Sequence, residues 1–208
     1  MKFFIFLTML LLSCNDTPQP SPVPPKILSE LQDTSIKIFS LSGDINPKLV
    51  NKFKKITKDM AVGDTLLLYI NSKGGYVDSA EYIINIMAGL KTICLADMAY
   101  SAAFEIFQHC TVRIYNDDTS LMTHHHFALF NNRSTMTSVD LFNYGFNMYV
   151  QEATLLTRCA ARMNMSFSEL NEKIEENNGE WYLTGDDIPK YFAADYYLKD
   201  LTTFNVKK

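Results

Sequence analysis

The sequence has no excess of basic residues and no ordered spacing of cysteines. It carries 19 Lys and Arg against 23 Asp and Glu, a net charge of −4, so we expect no nucleic-acid partner. Of its four cysteines, Cys94, Cys110 and Cys159 fall in the body of the chain as an odd set with wide gaps. Such spacing indicates neither a metal motif nor a disulfide framework, and we expect three buried thiols and no metal site.

The sequence also has no internal repeat, and its N-terminal apolar run is too short to span a bilayer permanently. Residues 1–14, "MKFFIFLTMLLLSC", are typical of an export signal. Their end resembles a bacterial lipobox, which implies a lipid on Cys14; an ordinary secretory signal is the alternative. Residues 15–26 contain five prolines and are predicted to be an extended tether. We expect residues 27–208 to form one folded domain. With a lipid on Cys14, the protein would be a membrane-anchored lipoprotein of the bacterial cell envelope.

Strand-like and helix-like patterns alternate through this domain. The apolar run "TLLLYI" is typical of a strand buried on both faces, and "VDSAEYIINIMAGL" has apolar residues at helical spacing up to Gly89. Further strands are predicted at "KTICLA", "TVRIY" and "SLMTH", with a helix from Ser101 and a long helix from about Ser138 to Met163. The alternation predicts an α/β fold of βαβ units with a largely parallel sheet.

Candidate functional residues follow the strands, where ligands of such sheets bind. Gly74 and Gly75 follow the first predicted strand. Adjacent glycines can turn successive N–H groups toward one point, so we expect an anionic group to lie against them. Ser101 lies between a strand and a helix, where a serine is either a helix cap or a nucleophile. The histidines of "SLMTHHH" supply a candidate base for it.

These segments resemble the proteolytic subunit of the Clp protease, a family of self-compartmentalising serine peptidases. "YINSKGG" is similar to the family's strand ending in Asn-Ser-Pro-Gly-Gly, "TICLADMAYSAA" to its serine elbow, and "SLMTHHH" to its Met-Ile-His-Gln segment. "EWYLTGDDIPKYFAADY" resembles its Asp-x-aromatic-Met/Leu-Ser/Thr segment and the helix after it. The resemblance spans most of residues 60–195 and implies a ClpP/crotonase-like fold with a long protruding helix.

The resemblance implies a triad in which Ser101 is the nucleophile, His124 is the general base and Glu180 takes the place of the family's aspartate. An imidazole activates the serine, and a carboxylate fixes the tautomer of the imidazole. The resemblance also places the oxyanion hole at the backbone N–H groups of Gly75 and Ala102. It implies no cofactor.

The serine elbow departs from the family's pattern at several positions. Lys73 replaces a proline, and Tyr100 replaces a small residue beside Ser101, where a bulky ring would crowd a substrate. His125 or His126 becomes the base if the strand register differs by one or two residues.

Two alternatives do not involve serine chemistry. Ser101 can be the cap of a helix in an inactive, binding or scaffold protein. His124 and His126 share one face of a strand, where they can bind a metal with Asp117 or Glu180.

Two further alternatives come from related families. Crotonase-like enzymes share the sheet but act on acyl thioesters, and the serine and histidine pair argues against them. Signal peptide peptidase A is an exported relative with a lysine base, for which Lys73 and Lys91 are the nearest candidates.

The resemblance implies a serine endopeptidase that hydrolyses peptide bonds through an acyl-enzyme. Family members assemble into rings through a long helix, so the helix from about Ser138 to Met163 implies a homo-oligomer. Clp peptidases receive unfolded chains from a cytoplasmic ATPase, but export would separate this protein from ATP. We therefore expect ATP-independent cleavage of short peptides or unfolded proteins.

Overall fold

The protein is described by a computed structural model over residues 20–33, 36–127 and 137–199, and the predicted signal with Cys14 lies outside these ranges. The strands are β1 (Lys37–Ser42), β2 (Thr65–Ser72), β3 (Lys91–Tyr100), β4 (Val112–Tyr115), β5 (Ser120–His124), β6 (Glu180–Thr184) and β7 (Tyr196–Tyr197). The helices are α1 (Pro25–Gln32), α2 (Pro47–Thr57), α3 (Val77–Met87), α4 (Ala102–Gln108), α5 (Ser138–Arg162), α6 (Phe167–Glu176) and α7 (Asp187–Lys190).

The strands form one sheet whose main path is β1-β2-β3-β4-β7, and neighbours along that path run parallel. The long strand β3 has two partners on the same side. Its first half pairs with β4, while Met98–Tyr100 pair with β5 in parallel. Strand β6 pairs with β5 in antiparallel register. The predicted α/β fold with a largely parallel sheet is confirmed, and the branch at β3 brings β5 alongside the end of β3.

Both faces of the sheet are covered, which explains the continuous apolar run in β2. Leu66, Leu68 and Ile70 face the larger core, which lies under helices α2 to α6. Leu67 and Tyr69 face the smaller core on the other side, where α1 packs. A strand buried on both faces has no solvent-facing residues to alternate with apolar ones.

The predicted tether over residues 15–26 is too long at its C-terminal end, because its last residues pack on the domain. Pro22 pairs with Tyr197, whose N–H donates to the carbonyl of Ser21 at 2.8 Å. Val23 is buried, and α1 begins at Pro25, a residue that suits the first turn of a helix. The folded domain therefore includes residues from about Ser21 rather than from Ile27.

The expectation of three free buried thiols is wrong for two of them. Cys94 in β3 and Cys110 after α4 form a disulfide with their Cα atoms 6.1 Å apart, whereas Cys159 is free and buried. Burial raises the pKa of the Cys159 thiol well above its ordinary value, so this thiol is a poor nucleophile. The disulfide closes the segment that contains Ser101.

Helix α5 is the long protruding helix that the resemblance implies. Its C-terminal half is anchored by buried residues that include Leu155, Leu156 and Cys159. Its N-terminal half projects apolar side chains into solvent. These exposed residues are Val139, Leu141, Phe142, Tyr144, Phe146, Tyr149 and Val150. None of the helices in the described part of the chain combines the length and the apolar character needed to cross a bilayer.

Candidate active site

Ser101 occupies a sharp turn between β3 and α4. Its backbone has φ 56° and ψ −127°, an unusual conformation for a residue with a side chain that costs on the order of 1–3 kcal/mol. The turn is held by the Ser101 N–H, which donates to the carbonyl of Met122 in β5 at 2.8 Å. Strain of this kind at a serine between a strand and a helix is the geometry of a nucleophile elbow.

The hydroxyl of Ser101 does not cap helix α4. The residue stands at the N-cap position, but its side chain accepts no hydrogen bond from the first turn of the helix. It contacts His124 instead, with 2.7 Å between Ser101 Oγ and His124 Nε2. Since a helix-capping serine would accept a backbone N–H, the geometry favours the nucleophile over the cap.

The tautomer of His124 follows from its second hydrogen bond. His124 Nδ1 lies 2.5 Å from the carbonyl oxygen of His125. A carbonyl can only accept, so Nδ1 carries the proton, and in the neutral ring Nε2 is left with a lone pair. The hydroxyl of Ser101 must then donate to Nε2. This is the arrangement in which an imidazole can take a proton from a serine.

Glu180 lies opposite His124 but does not bond to it. The two residues are direct partners in the antiparallel register of β5 and β6, and side chains of such pairs extend from the same face with Cβ atoms about 4.5–5.5 Å apart. The exposed carboxylate of Glu180 accepts a hydrogen bond from the Tyr182 hydroxyl at 3.1 Å. The carbonyl of His125 occupies the place at Nδ1 that the resemblance assigns to Glu180, whose role stays a prediction.

The glycine pair is explained first by contacts within the protein. Gly74 has φ +99°, and a Cβ there would lie 2.7 Å from the Tyr100 carbonyl oxygen and 2.8 Å from Ser101 Cβ. Gly75 has φ +152°, and its Cβ would lie 2.3 Å from the carbonyl oxygen of Ile45. The predicted anionic group is therefore not needed to explain why side chains are missing, because the serine elbow and Ile45 fill that space.

The two predicted oxyanion donors lie on neighbouring segments at this contact. The space where a Gly74 Cβ would lie is 3.1 Å from the backbone nitrogen of Ala102. Among the hydrogen bonds of the described residues, the N–H groups of Gly75 and Ala102 reach no protein acceptor. Free N–H groups beside a nucleophile are the donors that an oxyanion hole requires.

The other two histidines are paired with carboxylates and not with Ser101. His126 Nε2 lies 2.5 Å from Glu105 Oε1, and His125 bonds to Glu152 at 2.6 Å and to Glu175 at 3.1 Å. His124 is therefore the histidine in contact with the serine, which leaves the two shifted registers without support. Because His124 and His126 bond to different partners, they do not converge on one point, and the described residues contain no group of three or more metal-binding side chains.

Glu105 is the residue that the sequence interpretation missed. It lies one turn after Ser101 in α4, and its side chain is only 3% exposed. Burial lowers the pKa of His126, but the hydrogen bond and charge of Glu105, together with the charge of Glu152, raise that pKa above its ordinary value on balance. Contact with Glu105 therefore favours the imidazolium form of His126 over the neutral ring. The sequence carries no signal for this role, because neither the burial of Glu105 nor its partner His126 can be read from neighbouring residues.

The lysine alternative has little geometric support. Lys91 stands at the start of β3, at the opposite end of the strand from Ser101, and its ammonium group bonds to Glu30 at 2.5 Å. Lys73 is exposed.

Tyr100 is turned toward β5 and β6, where its hydroxyl donates to Ser120 and its ring packs edge-on against Tyr182. Those contacts hold the Tyr100 ring in the wall formed by β5 and β6.

A cavity of about 540 Å³ lies apart from these residues. It is lined in part by Arg113, Arg162 and Asp195. The guanidinium of Arg113 already donates to Asp195 and to Gln108. A saturated arginine of this kind stabilises the fold, and the cavity contains none of the groups that surround Ser101.

No family model and no curated protein sequence matches the chain. Among solved structures, it is similar to a mutant of ClpP1 from Listeria monocytogenes, with a TM-score of 0.67 and 13% identity. The match covers 86% of this chain and 98% of the other. At this identity the likeness shows the fold alone, and the protein therefore has a ClpP-like fold.

Proposed function

We propose that the protein is a serine peptidase in which Ser101 is the nucleophile and His124 the general base. The observation that carries this proposal is the 2.7 Å contact between Ser101 Oγ and His124 Nε2 at a strained turn between a strand and a helix. The ClpP-like fold supports it, because the serine and the histidine stand at the ends of two paired parallel strands, where ligands of such sheets bind.

The proposed reaction has two halves. Ser101 Oγ adds to the carbonyl carbon of a peptide bond while its proton passes to His124 Nε2. The carbonyl oxygen becomes an oxyanion, which the N–H groups of Gly75 and Ala102 bind. The C–N bond then breaks, His124 gives the proton to the leaving amine, and an ester remains on Ser101. Water that loses a proton to His124 hydrolyses the ester and releases the acid.

Glu180 acts in this proposal through its charge across the strand pair. Its carboxylate stands opposite His124 in the register and favours the imidazolium that forms during the reaction. The tautomer of His124 is already fixed by the carbonyl of His125. We expect Glu180→Gln to lower kcat by about 10-fold, against about 10⁴-fold where a carboxylate bonds directly to the imidazole. A loss near 10⁴-fold would show that Glu180 moves onto Nδ1.

We also infer that the enzyme works at the cell envelope. A lipid on Cys14 and a tether up to about Pro20 would hold the domain at a membrane of the cell envelope. The exposed apolar half of α5 is a surface that self-association would cover. Because ATP is not supplied outside the inner membrane, the substrates are short peptides and unfolded chains.

A peptide-cleavage assay tests the proposed activity. Purified protein that begins at Pro20 is incubated with a mixed fluorogenic peptide library, with and without ATP. We expect cleavage that does not depend on ATP and that falls by at least about 10³-fold in Ser101→Ala. Ser29→Ala is the matched control, since this serine is on α1 and bonds only to a backbone carbonyl in its own helix. Equal cleavage by Ser101→Ala and wild type would contradict the proposal, and absence of cleavage by both would favour a binding protein.

A further inference from the structure

Three consecutive histidines at the end of β5 are held by three different parts of the molecule. His124 contacts the serine elbow, His125 contacts Glu152 in α5 and Glu175 in α6, and His126 contacts Glu105 in α4. The distances are 2.7 Å for Ser101, 2.6 and 3.1 Å for the two partners of His125, and 2.5 Å for Glu105. The chain after β5 is therefore fixed at each of its first residues.

The acceptor for Nδ1 of His124 belongs to this fixed segment. It is the carbonyl of His125, 2.5 Å from Nδ1, and that carbonyl is part of the peptide group between His125 and His126. The position of the peptide group depends on where the side chain of His126 is held. When the His126 side chain is held in place, the His125 carbonyl therefore stays against the His124 ring.

The His126 anchor is the most buried of these contacts. The side chains of His126 and Glu105 are 5% and 3% exposed, whereas that of His125 is 33% exposed. Glu105 Oε2 is buried and has no hydrogen-bond partner among the described residues. Burying a charged pair with a carboxylate oxygen unsatisfied gains little or no stability compared with an apolar pair of similar size. Stability alone therefore does not account for this pair.

The location of the His126–Glu105 pair indicates a role other than stability. The backbone N–H of Glu105 donates to the carbonyl of Ser101 at 3.2 Å, so Glu105 is fixed relative to the nucleophile. The bond from His126 to Glu105 thus joins the helix that follows Ser101 to the chain segment that follows His124. On the other side of the site, the Ser101 N–H bonds to Met122. These two connections set the separation of Oγ and Nε2.

We propose that Glu105 and His126 are positioning residues which hold the carbonyl of His125 against His124 Nδ1, so that a main-chain carbonyl fixes the tautomer of the base. This inference rests on the proposed function for its kinetic consequence, but the tautomer of His124 does not depend on activity. A misplacement of about 1 Å can reduce a reaction rate by about 10²-fold. Loss of the pair therefore slows acylation of Ser101 without touching either reacting group.

The test compares Glu105→Ala and Glu105→Gln with Glu172→Ala, a control that removes an exposed glutamate in α6. Two quantities are measured on the protein that begins at Pro20. The first is the rate constant for labelling by a serine-reactive fluorophosphonate. The second is the ¹⁵N-histidine NMR spectrum, in which a hydrogen-bonded Nδ1–H of His124 gives a distinct signal that is assigned by its loss in His124→Ala.

We expect Glu105→Ala to label about 10–100-fold more slowly and to lose the Nδ1–H signal. Glu105→Gln should stay within about 3-fold of wild type and keep the signal, because an amide oxygen still accepts from His126. The control should match wild type. The inference is overturned if Glu105→Ala keeps the Nδ1–H signal, or if Glu105→Ala and wild type are labelled at the same rate.

Two further arms keep the test decisive. If Glu105→Ala shows no cooperative thermal unfolding, His126→Asn replaces it under the same criteria, because it releases the pair from the other side. If wild type is not labelled at all, the proposed peptidase function fails, and the NMR comparison alone then decides whether Glu105 and His126 fix the ring. A preserved Nδ1–H signal in the Ala variant would reject that role even in an inactive protein.

Discussion

Helices α4 and α5 differ in how much of each helix the domain buries. Every residue of α4, directly after Ser101, is buried. The N-terminal half of α5 instead exposes seven large apolar side chains, among them Phe142 at 72% and Phe146 at 58%. A large patch of apolar residues facing water usually marks an interaction surface. In the proposed enzyme, Ser101 and His124 therefore meet within one chain, whereas the exposed half of α5 is the surface on which we expect self-association.

We expect the loss of His124 to reduce the reactivity of Ser101 more than any other substitution. His124→Ala removes the proposed base from Ser101, and general-base catalysis contributes about 10²–10⁴-fold. We expect the labelling rate of Ser101 to fall by that factor. Lys73→Ala and Lys91→Ala should label like wild type. Labelling that survives in His124→Ala but is lost in either lysine variant would transfer the role of the base to that lysine.

The disulfide tests whether the serine elbow is held from within the chain. Cys94 and Cys110 enclose Ser101 with a sequence separation of 16, and closing a loop of about this size stabilises a protein by about 3 kcal/mol. We expect the free energy of unfolding of the double variant Cys94→Ala, Cys110→Ala, measured by urea denaturation, to be lower than that of wild type by about 3 kcal/mol. Cys159→Ala, which removes a buried thiol outside the disulfide, is the control for lost core volume. Equal unfolding of wild type and the double variant would show that the disulfide does not hold the elbow.

Substitutions at Gly74 and Gly43 distinguish the effect of a close contact from the effect of backbone strain. Gly74→Ala places a Cβ 2.7 Å from the Tyr100 carbonyl oxygen, whereas Gly43, with φ +76°, has no atom within 4 Å of that position. Both substitutions incur the strain of positive φ, about 1–3 kcal/mol. We expect a loss of stability in both, measured by thermal unfolding, and slower labelling only in Gly74→Ala. Equal labelling by the two variants would show that the elbow tolerates displacement.

The exposed half of α5 should affect self-association and not the reactivity of Ser101. Phe142 and Phe146 stack with ring centroids 6.4 Å apart and face solvent. Replacing both by Glu should weaken self-association by about 10–100-fold in sedimentation velocity, since buried aromatic residues dominate interfaces. The labelling rate of Ser101 should change little. Equal sedimentation of the variant and wild type would show that the exposed half of α5 does not contribute to self-association.

The smallest effect is the pH dependence of stability. The pKa of His126 is raised from its ordinary value of 6.5, since the hydrogen bond and charge of Glu105, with the charge of Glu152, outweigh the lowering by burial. A raised folded-state pKa means that the pair stabilises the protein fully below about pH 6.5 and loses this contribution as pH rises through the folded-state value. We expect the unfolding free energy of wild type, relative to Glu105→Gln, to fall by at most about 1.4 kcal/mol per pH unit above 6.5. A difference that increased with pH would contradict the charged pair.

Much of the fold could be predicted because it depends on local patterns. The apolar run of β2 and the helical spacing of α3 and α5 are readable from neighbours in sequence. Ser101 and His124 were found through a resemblance, and the structure places them in contact. The order of strands brings their two chain segments together.

The remaining features depend on contacts between distant residues. Glu105 looks like an ordinary helix glutamate in sequence, and its partner His126 is 21 residues away. The disulfide could not be chosen from an odd set of cysteines with wide gaps, because only the fold brings Cys94 and Cys110 to a Cα separation of 6.1 Å. The partner of His124 Nδ1 is a main-chain carbonyl, which carries no signal in side-chain identity.

Activation of Ser101 by His124 is tested most directly by the site of covalent labelling by a fluorophosphonate. Peptide mass spectrometry of the labelled protein, with His124→Ala treated in parallel, identifies the modified residue. We expect a single adduct on Ser101 that forms in wild type and is nearly absent in His124→Ala. An adduct on another serine, or equal modification of Ser101 in both proteins, would contradict activation of Ser101 by His124.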